Sequence, residues 1–495
     1  MSQITRRKLL KRSAATGAAV LMLSSTQAKR VFGANEELKV AVVGFGGRGK
    51  EHIAAFSSLS GCSVTALCDA DQNTLGKQAE SMDKKTGGKI ETYLDVRKLL
   101  ESKNVDAIAT ATPNHWHSLI TIWSCQAGKD VYVEKPISHN VYEGRKCVEA
   151  AAKYKRVVQH GTQRRSDKGW YEAFDWVRKG NLGAVQWVKG FCYKPRPSIG
   201  KTEGPQPLPA GVNYDLWCGP APMDPLRRKR LHYDWHWVWP TGNGDIGNQG
   251  VHEMDLCRWF VGNKELPERV MSFGGRFLVD DDATTPNTLV TYYDYKPVPF
   301  IFEVRGLPSK APTNFADGKV WPPMDAFGKI VRVGMWIQCE NGYFAAGEGG
   351  GWAYDKAGQK VKQFKQQLGK FGHQENFVKA CKTRKPEDNV ADAEVAHLSS
   401  ACCHLGNISY QVGKEVPAAD AQAAVKGNAQ MAEAYERFSD HLAKNTFDPK
   451  TGKVVLGPTL TLDPKTERFT GDFADEANKH VSRDYRKPYV VPENV

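Results

Sequence analysis

A glycine-rich turn directly after an apolar strand constrains the fold more than any other feature. Residues 38–43 read Leu-Lys-Val-Ala-Val-Val, whose lack of polar alternation is typical of a strand buried on both faces of a parallel sheet. Gly44, Phe45, Gly46, Gly47, Arg48 and Gly49 follow and match the GxGxxG pattern. In that pattern the glycines permit a tight turn, close approach of a pyrophosphate, and packing of the next helix. The turn predicts an α/β domain that binds a dinucleotide; a turn of an unrelated α/β fold is the alternative.

An acidic residue after the next predicted strand bears on which dinucleotide binds. Residues 63–68 form an apolar run that ends at Asp69, about 20 residues after the turn, where dinucleotide-binding domains carry a ribose-binding acid. A carboxylate there accepts hydrogen bonds from a ribose 2′-hydroxyl and repels a 2′-phosphate. We therefore predict NAD, with NADP as the less favoured cofactor. Asp71 is the alternative acid.

Three further motifs follow along the chain. They are Thr112-Pro113-Asn114-His115-Trp116-His117, Glu134-Lys135-Pro136, and a glycine-rich segment from Gly242 to Asp255. Together with the turn and Asp69, they make residues 37–415 resemble the glucose–fructose oxidoreductase/inositol dehydrogenase (Gfo/Idh/MocA) family. The resemblance implies a homo-oligomer and an NAD site formed by Gly44, Gly46, Gly47, Arg48, Gly49, Asp69, Thr112, Pro113, Asn114, His117, Glu134 and Lys135.

The resemblance also implies the fold, an α/β protein with an N-terminal Rossmann domain and a C-terminal α+β domain. The first would have a doubly wound parallel sheet, and the second an open, mostly antiparallel sheet. We divide the chain into a signal (1–34), an NAD-binding domain (36–157), a substrate and oligomerisation domain (158–415) and an extension (416–495). Local patterns predict a hairpin at Asn341-Gly342, a proline-rich ordered loop or lid at 195–225, helices at 373–383, 391–411 and 418–442, and an extended arm at 484–489.

Oxidation of a sugar hydroxyl removes its proton while hydride leaves carbon. A lysine buried beside a positive nicotinamide has its ammonium form disfavoured, so it can act as a general base near neutral pH. The resemblance gives this role to Lys135 and gives His252 the role of binding the reacting oxygen and assisting proton transfer. A buried histidine that caps a helix is the alternative for His252.

One residue departs from the family pattern. The family often has an aspartate four residues before the histidine, where this chain has Asn248. An amide can orient a hydroxyl but cannot relay a proton. Asn248 therefore disfavours the proton relay of the standard dehydrogenase step, and the spacing of Asp245 is wrong for a simple replacement.

Other polar and aromatic residues are candidates for ligand contact. Arg164 follows a predicted strand and is a candidate to bind a substrate oxygen, with a solvated arginine as the alternative. Trp235, Trp237 and Trp239 alternate, so in an extended segment they would share one face suited to a sugar ring. We select Trp237 for that contact and assign the others to the core. His115 and His117 either line the nicotinamide pocket or belong to the first turn of a helix.

The first 34 residues determine the predicted compartment. They contain seven of the 68 Lys and Arg residues and none of the 55 Asp and Glu residues, and Arg6-Arg7 resembles a twin-arginine signal. The apolar run that follows is too short for an ordinary membrane helix, so we predict export to the periplasm without stable membrane insertion. A basic start on a cytoplasmic protein is the alternative. Without this segment the net charge falls from +13 to +6, which does not indicate a nucleic-acid partner.

The cysteines predict neither a disulfide framework nor a metal site. There are 11, without a C-x-x-C pair or metal-ligand spacing. A protein exported by the twin-arginine route folds in the reducing cytoplasm, so we predict that most are buried thiols.

The sequence leaves three functional hypotheses. The first is an NAD-dependent dehydrogenase of a sugar, polyol or related carbohydrate. The second is a glycoside hydrolase or lyase that uses bound NAD transiently, by oxidation, elimination and reduction. The third is a non-enzymatic dinucleotide-binding module, which the presence of both Lys135 and His252 disfavours. Asn248, export away from a ready NADH supply and the tryptophan segment support the second hypothesis, but we rank the first above it.

Overall fold

The computed structural model describes residues 37–308, 331–448 and 450–495. The predicted signal, residues 1–34, lies outside this part of the chain. The described residues form two β-sheets with helices packed against them. None of the helices in these ranges has the length and apolar character that crossing a membrane requires.

The first sheet contains six parallel strands, which confirms the predicted doubly wound domain. Its order is β3-β2-β1-β4-β5-β6, so the direction of winding reverses between β1 and β4. In open α/β sheets, ligands bind at the carboxyl ends of strands beside such a reversal. The strands are β1 (Leu38–Val43), β2 (Cys62–Cys68), β3 (Glu91–Tyr93), β4 (Ala107–Thr110), β5 (Asp130–Val133) and β6 (Val158–His160), and the helices are Gly49–Ser58, Gln72–Thr86, Val96–Leu100, Asn114–Gln126 and Val141–Tyr154.

The apolar character of β1 follows from burial on both faces. Val40 and Val42 pack in one hydrophobic cluster with Phe56, while Ala41 and Val43 pack in another on the opposite side of the sheet. Five of its six residues are buried and Lys39 alone is partly exposed, so polar alternation would place polar groups in a core.

The boundary predicted at residue 157 is too early. Val158–His160 pairs in parallel with Asp130–Val133 and completes the first sheet. The chain enters the second domain only after this sixth strand.

The second sheet contains twelve strands and is mostly antiparallel, as predicted, with one parallel pair between β7 and β10. Its main path is β14-β13-β12-β11-β7-β10-β9-β8-β16-β15, and β17 joins β8 and β18 beside it. The strands are β7 (Val185–Cys192), β8 (Arg269–Gly275), β9 (Thr288–Tyr293), β10 (Phe300–Arg305), β11 (Val333–Cys339), β12 (Gly342–Gly347), β13 (Gly350–Asp355), β14 (Lys360–Lys365), β15 (Lys414–Pro417), β16 (Lys453–Leu456), β17 (Leu460–Asp463) and β18 (Arg468–Thr470).

The helices of this half follow the predicted spacing closely. Gly372–Thr383 and Ala393–Val412 match the predicted pair. The predicted hairpin joins β11 to β12, but its two loop residues are Glu340 and Asn341 and not Asn341 and Gly342, because Gly342 already pairs with Cys339. The predicted helix at 418–442 is divided in two, because Asn428 caps a new helix start. The remaining helices are Lys168–Arg178, Tyr214–Cys218, Leu231–Asp234, Gly244–Asn248, Gly250–Val261 and Ala474–Asn478, with short 3-10 turns at Gln163–Ser166, Trp235–Trp237 and Pro386–Asp388.

Residues 416–495 are not a separate extension. The strands β15 to β18 continue the second sheet, because β16 and β17 both pair with β8. The predicted arm at 484–489 instead packs on the first domain, where the ring of Tyr489 lies 5.4 Å from that of Trp116.

Candidate active site

A cavity of about 830 Å³ lies at the carboxyl ends of four neighbouring strands, β2, β1, β4 and β5. Strands lie about 4.8 Å apart, so the cavity spans about 14 Å of the sheet. Its lining includes Gly44, Gly46, Gly47, Arg48, Asp69, Thr112, Pro113, Asn114, His117, Glu134, Lys135, Asn248 and His252. Of the site residues predicted from sequence, Gly49, Arg164 and Trp237 lie outside this lining.

The glycine turn has the geometry that its pattern predicts. Gly44 has a φ of +75°, and a Cβ there would lie 2.8 Å from Cγ2 of Thr112. A Cβ on Gly49 would lie 2.1 Å from the carbonyl oxygen of Gly44, so only glycine lets the helix begin this close to β1. A Cβ on Gly46 or Gly47 would meet nothing within 4 Å. The backbone at this helix start is therefore open to an approaching phosphate.

Asp69, and not Asp71, is the acid that borders the cavity. Its Oδ2 accepts from the backbone N–H of Phe45 at 3.0 Å, and its Oδ1 accepts from that of Asp71, also at 3.0 Å. Burial raises the pKa of Asp69, and these two N–H groups oppose that rise. Asp71 instead caps the helix Gln72–Thr86 by accepting from Asn73 and Thr74. Each oxygen of Asp69 keeps a lone pair for a ligand hydroxyl.

The Thr112–His117 motif is held by backbone carbonyls. The Nδ1 atom of His117 lies 2.6 Å from the carbonyl oxygen of Pro136, and its Nε2 lies 2.7 Å from that of Thr112. His115 is buried, with Nε2 3.0 Å from the carbonyl oxygen of Trp217. Both rings therefore position the chain, and only His117 also borders the cavity.

Glu134 is a buried carboxylate held by several donors. Its Oε1 lies 3.1 Å from Nε2 of His52 and accepts from Nε of Arg48 at 3.1 Å. Burial alone would raise the pKa of Glu134, but the hydrogen bond from His52 and the charges of Arg48 and Lys135 hold it well below its usual range. Glu134 therefore supplies a fixed negative charge beside Lys135.

Lys135 reaches across to the second domain. Its Nζ donates to the backbone oxygen of Asn248 at 2.9 Å and to the side-chain Oδ1 at 3.2 Å. Burial lowers the pKa of Lys135, Glu134 opposes this change, and Arg48 adds to it. The residue that departs from the family pattern is thus the direct partner of the candidate base.

Two imidazoles border the same part of the cavity. No hydrogen bond joins the His252 ring to another group in the described ranges, and burial together with Lys135 lowers its pKa well below the usual value. Nδ1 of His236 lies 2.6 Å from the carbonyl oxygen of Tyr233, so it carries the ring proton and leaves Nε2 as an acceptor. Burial lowers the pKa of His236 to about 3. His236 does not stand out as a site residue in the sequence, because the neighbouring tryptophans dominate that segment.

Two charged residues near the site are already paired. Arg196 donates to both oxygens of Asp245, at 2.8 and 2.7 Å, so Asp245 does not replace the absent aspartate. Arg164 forms an ion pair with the buried Glu253 and lies outside the cavity lining. The predicted substrate contact of Arg164 therefore has no geometric support.

The tryptophan segment is helical, so the prediction of an extended strand with one aromatic face is wrong. Residues 231–237 form a short helix followed by a 3-10 turn. Trp235 borders the cavity and stacks on His236 with ring centres 3.6 Å apart. Trp237 instead packs against the Arg196 guanidinium, 5.2 Å from the ring centre. In such tight turns alternate side chains point to different sides, whereas they share one face only in an extended strand.

A roof segment, residues 209–236, covers the cavity from the second domain. Its backbone is tied to the first domain, because Gln72 N–H donates to Gly211 at 2.9 Å and Asn213 N–H donates to Ala70 at 2.9 Å. The arm holds it from outside: Arg486 donates to the backbone oxygen of Asp215 at 2.7 Å. The proline-rich loop predicted as a lid is thus ordered and contributes to the site.

The eleven cysteines are all free and buried, as predicted. Within the described ranges no group of three or more His, Cys, Asp or Glu side chains is arranged to hold a metal ion.

Comparison with known proteins gives two family matches. Residues 38–162 match an oxidoreductase family model described as an NAD-binding Rossmann fold, and residues 176–296 match the C-terminal alpha/beta domain of an oxidoreductase family. The chain is 30% identical to inositol 2-dehydrogenase of Salmonella paratyphi B over 158 residues, 32% of this chain and 46% of that protein. It is 31% identical to glycosyl hydrolase family 109 protein 1 of Shewanella sp. over 120 residues, 23% of this chain and 26% of that protein. These alignments cover less than half of either relative.

A solved structure has the same fold. The WlbA dehydrogenase from Bordetella pertussis, crystallised with NADH and UDP-GlcNAcA, matches with a TM-score of 0.52 at 18% identity. The match covers 75% of this chain and 95% of that one.

Proposed function

Since this chain belongs to the Gfo/Idh/MocA oxidoreductase family and carries its NAD-binding domain, we propose that it is an NAD-dependent oxidoreductase acting on a sugar, polyol or related carbohydrate. The observation that carries the proposal is the meeting of Lys135, Asn248 and His252 in the cavity that also contains the glycine turn and Asp69. The inositol 2-dehydrogenase relatives support the substrate class.

The residues present fit NAD. Gly46 and Gly47 leave backbone open for phosphates, and Asp69 has acceptor capacity for ribose hydroxyls. When bound, NAD supplies a nicotinamide ring that accepts hydride. Lys135, at the end of β5, and Asp69, at the end of β2, lie three strand spacings apart, or about 14 Å.

The proton step falls to Lys135. A neutral amine has two N–H groups, and the two oxygens of Asn248 accept both, so the lone pair of Nζ remains for a substrate hydroxyl proton. Burial favours this neutral form. His252 binds the reacting oxygen, and Nε2 of His236 accepts from a second hydroxyl. The roof segment covers these groups from the second domain.

A redox-neutral glycoside cleavage is the second candidate function. It is supported by Asn248 in place of the family aspartate, by the glycosyl hydrolase relative, and by the roof segment, which favours retention of NAD between turnovers. In that reaction the hydride removed from carbon returns before product leaves, so no net oxidation occurs.

One experiment separates these functions. The purified protein is denatured to measure retained NAD, and the native protein is incubated with sugars, myo-inositol and aryl glycosides, with and without added NAD. The dehydrogenase predicts NADH formation that depends on added NAD, whereas the cleavage predicts aglycone release without it. Lys135→Met should reduce either turnover by about 10²-fold or more while leaving NAD affinity nearly intact. Full turnover in that variant would contradict the mechanism.

We also propose that the protein is exported through the twin-arginine pathway, as Arg6 and Arg7 suggest. Arg6→Lys combined with Arg7→Lys should trap full-length precursor in the cytoplasm, as fractionation and immunoblotting would detect. Normal export of the double variant would refute this. The homo-oligomer that the family resemblance implies stays a prediction.

A further inference from the structure

The roof segment is joined along one edge to the loop that carries Asp69. Residues 70–73, directly after Asp69, run beside residues 210–213 of the roof segment, and an antiparallel bridge lies within this run. Nδ2 of Asn73 donates to the backbone oxygen of Ala210 at 2.7 Å, next to the two backbone hydrogen bonds already described. This edge is therefore held mostly by main-chain pairing.

The roof segment also has an apolar core of its own. Five of its buried side chains pack together, and Ala70 of the first domain packs against them. They are Trp217, Cys218, Leu226, Leu231 and Trp235. Because buried apolar contacts open cooperatively, we expect the roof segment to move as one body.

Trp116 supports the opposite edge of the roof segment. Its Nε1 donates to the backbone oxygen of Leu216 at 3.0 Å. A Cβ on Gly219 would lie 2.3 Å from the Trp116 ring, so the backbone of the roof segment lies directly on this ring. The ring of Tyr489 packs against the same indole, so this edge meets the arm.

The arm contacts the roof segment at Asp215, in the short helix Tyr214–Cys218. The Tyr489 hydroxyl donates to Oδ2 of Asp215 at 2.6 Å, and Arg486 donates to Oδ1 of the same residue. Nε of Arg486 also donates to the backbone oxygen of Gly219 at 3.1 Å. Asp215, Arg486 and Tyr489 do not border the cavity, so any effect of these contacts on a bound nucleotide must pass through the roof segment.

Bound NAD would lie between the roof segment and the first domain. The cavity bordered by the glycine turn and Asp69 is also bordered by Pro209, Leu216 and Trp217 of the roof segment. Since the roof segment is held along both edges, we expect NAD to exchange only when one edge opens. The arm edge should open first, because a chain terminus holds it chiefly through side chains.

We propose that the C-terminal arm clamps the roof segment over NAD, so that NAD enters and leaves when the contacts at Asp215 open. Asp215 and Tyr489 are then positioning residues for the cofactor, although neither touches it. This inference rests on the NAD site of the proposed function, but not on its substrate or on hydride transfer.

The arm contacts do not involve NAD, so they stabilise the covered arrangement equally with and without it. Weakening them should therefore speed entry and exit by the same factor and leave the dissociation constant nearly unchanged. Loss of one hydrogen bond should raise both rates by about 2- to 10-fold. A residue that binds NAD directly, as proposed for Asp69, should instead change the dissociation constant.

Stopped-flow fluorescence of NADH on the full chain tests this inference. The association rate comes from mixing the protein with NADH, and the dissociation rate from displacing NADH with excess NAD. Tyr489→Phe, which removes one hydroxyl and keeps the buried ring, should raise both rates by about 2- to 10-fold. Asp215→Ala, which removes the acceptor of two side chains, should raise them further. Tyr435→Phe removes another buried hydroxyl, which donates to Ala418 in the second domain, and should match the wild type.

Three results would overturn the inference. They are rates in Tyr489→Phe equal to those of the wild type, an equal increase in Tyr435→Phe, and a faster dissociation with an unchanged association rate. If the melting temperature of Asp215→Ala falls sharply, Tyr489→Phe alone decides. A protein that clamps NAD in this way but oxidises no carbohydrate would refute only the proposed function.

Discussion

The contact between Lys135 and Asn248 gives the sharpest quantitative prediction. In Asn248→Asp a carboxylate oxygen would stand where Oδ1 now lies, 3.2 Å from Nζ of Lys135. At that distance two unit charges attract by about 5 kcal/mol at an effective dielectric constant of about 20, and by about 1.3 kcal/mol at about 80. One pKa unit corresponds to about 1.36 kcal/mol, so the pKa of Lys135 should rise by about 1 to 4 units.

This shift can be measured without knowing the substrate. Competitive acetylation across a pH series, followed by mass spectrometry, gives the titration midpoint of each lysine, and the exposed lysines serve as internal references. Since a base acts in its neutral form, the alkaline rise of kcat/KM should move upward by the same amount once a substrate is known. Asn248→Leu, which removes Oδ1 without adding charge, should not raise the midpoint.

The activity of Asn248→Asp also separates the dehydrogenase from the glycoside-cleaving function. If the site performs ordinary dehydrogenation, Asn248→Asp should keep or increase that activity at a sufficiently alkaline pH. If the amide belongs to glycoside cleavage, the native activity should be lost at every pH. A midpoint of Lys135 that does not move in Asn248→Asp would refute the reasoning from the contact itself.

Three further predictions follow from the structure. Asp69→Ala should weaken NAD binding by about 10- to 100-fold and reduce the preference for NAD over NADP, because charged hydrogen bonds of about 1.5–3 kcal/mol are lost. Calorimetric titration with both nucleotides checks this, and a wild-type protein that binds NADP more tightly than NAD would contradict it. Gly46→Ala should keep the wild-type melting temperature but lose NAD affinity at least tenfold, whereas Gly49→Ala should lose about 3 kcal/mol of stability by overpacking. Equal melting temperatures for the two variants would argue against the turn geometry. Burial alone would raise the pKa of Glu467, but His397 and Arg145 hold it at about 2. Glu467→Gln should therefore lower the free energy of unfolding by about 3 kcal/mol at neutral pH. This difference between the variant and the wild type should vanish as the pH falls from about 4.5 toward 2, as urea titrations at each pH would show.

The parts of the fold that the sequence predicts are those fixed by local pattern. The burial of β1 on both faces follows from its largely apolar run, and the demand for glycine at residue 49 comes from the carbonyl oxygen of Gly44, five residues before it. The helices Gly372–Thr383 and Ala393–Val412 follow from apolar spacing alone.

What the sequence could not predict depends on partners far along the chain. Arg164 is paired with Glu253, 89 residues away, and no local pattern distinguishes a paired arginine from a ligand-binding one. The same holds for β16, whose place beside β8 is set by tertiary packing. The tryptophan segment failed for a different reason, because alternation predicts one face only if the backbone is extended.

The anchoring of the roof segment by the arm has a consequence for biosynthesis. The last strand of the first sheet ends at His160, but Tyr489, whose hydroxyl donates to Asp215 at 2.6 Å, emerges from the ribosome about 330 residues later. At about 5–20 residues per second, that interval is on the order of 15 to 65 seconds. During it, the nucleotide crevice can form while its cover still lacks an outer clasp. NAD binding therefore does not have to wait for the arm, which is the last element to be added to the enclosure of the crevice.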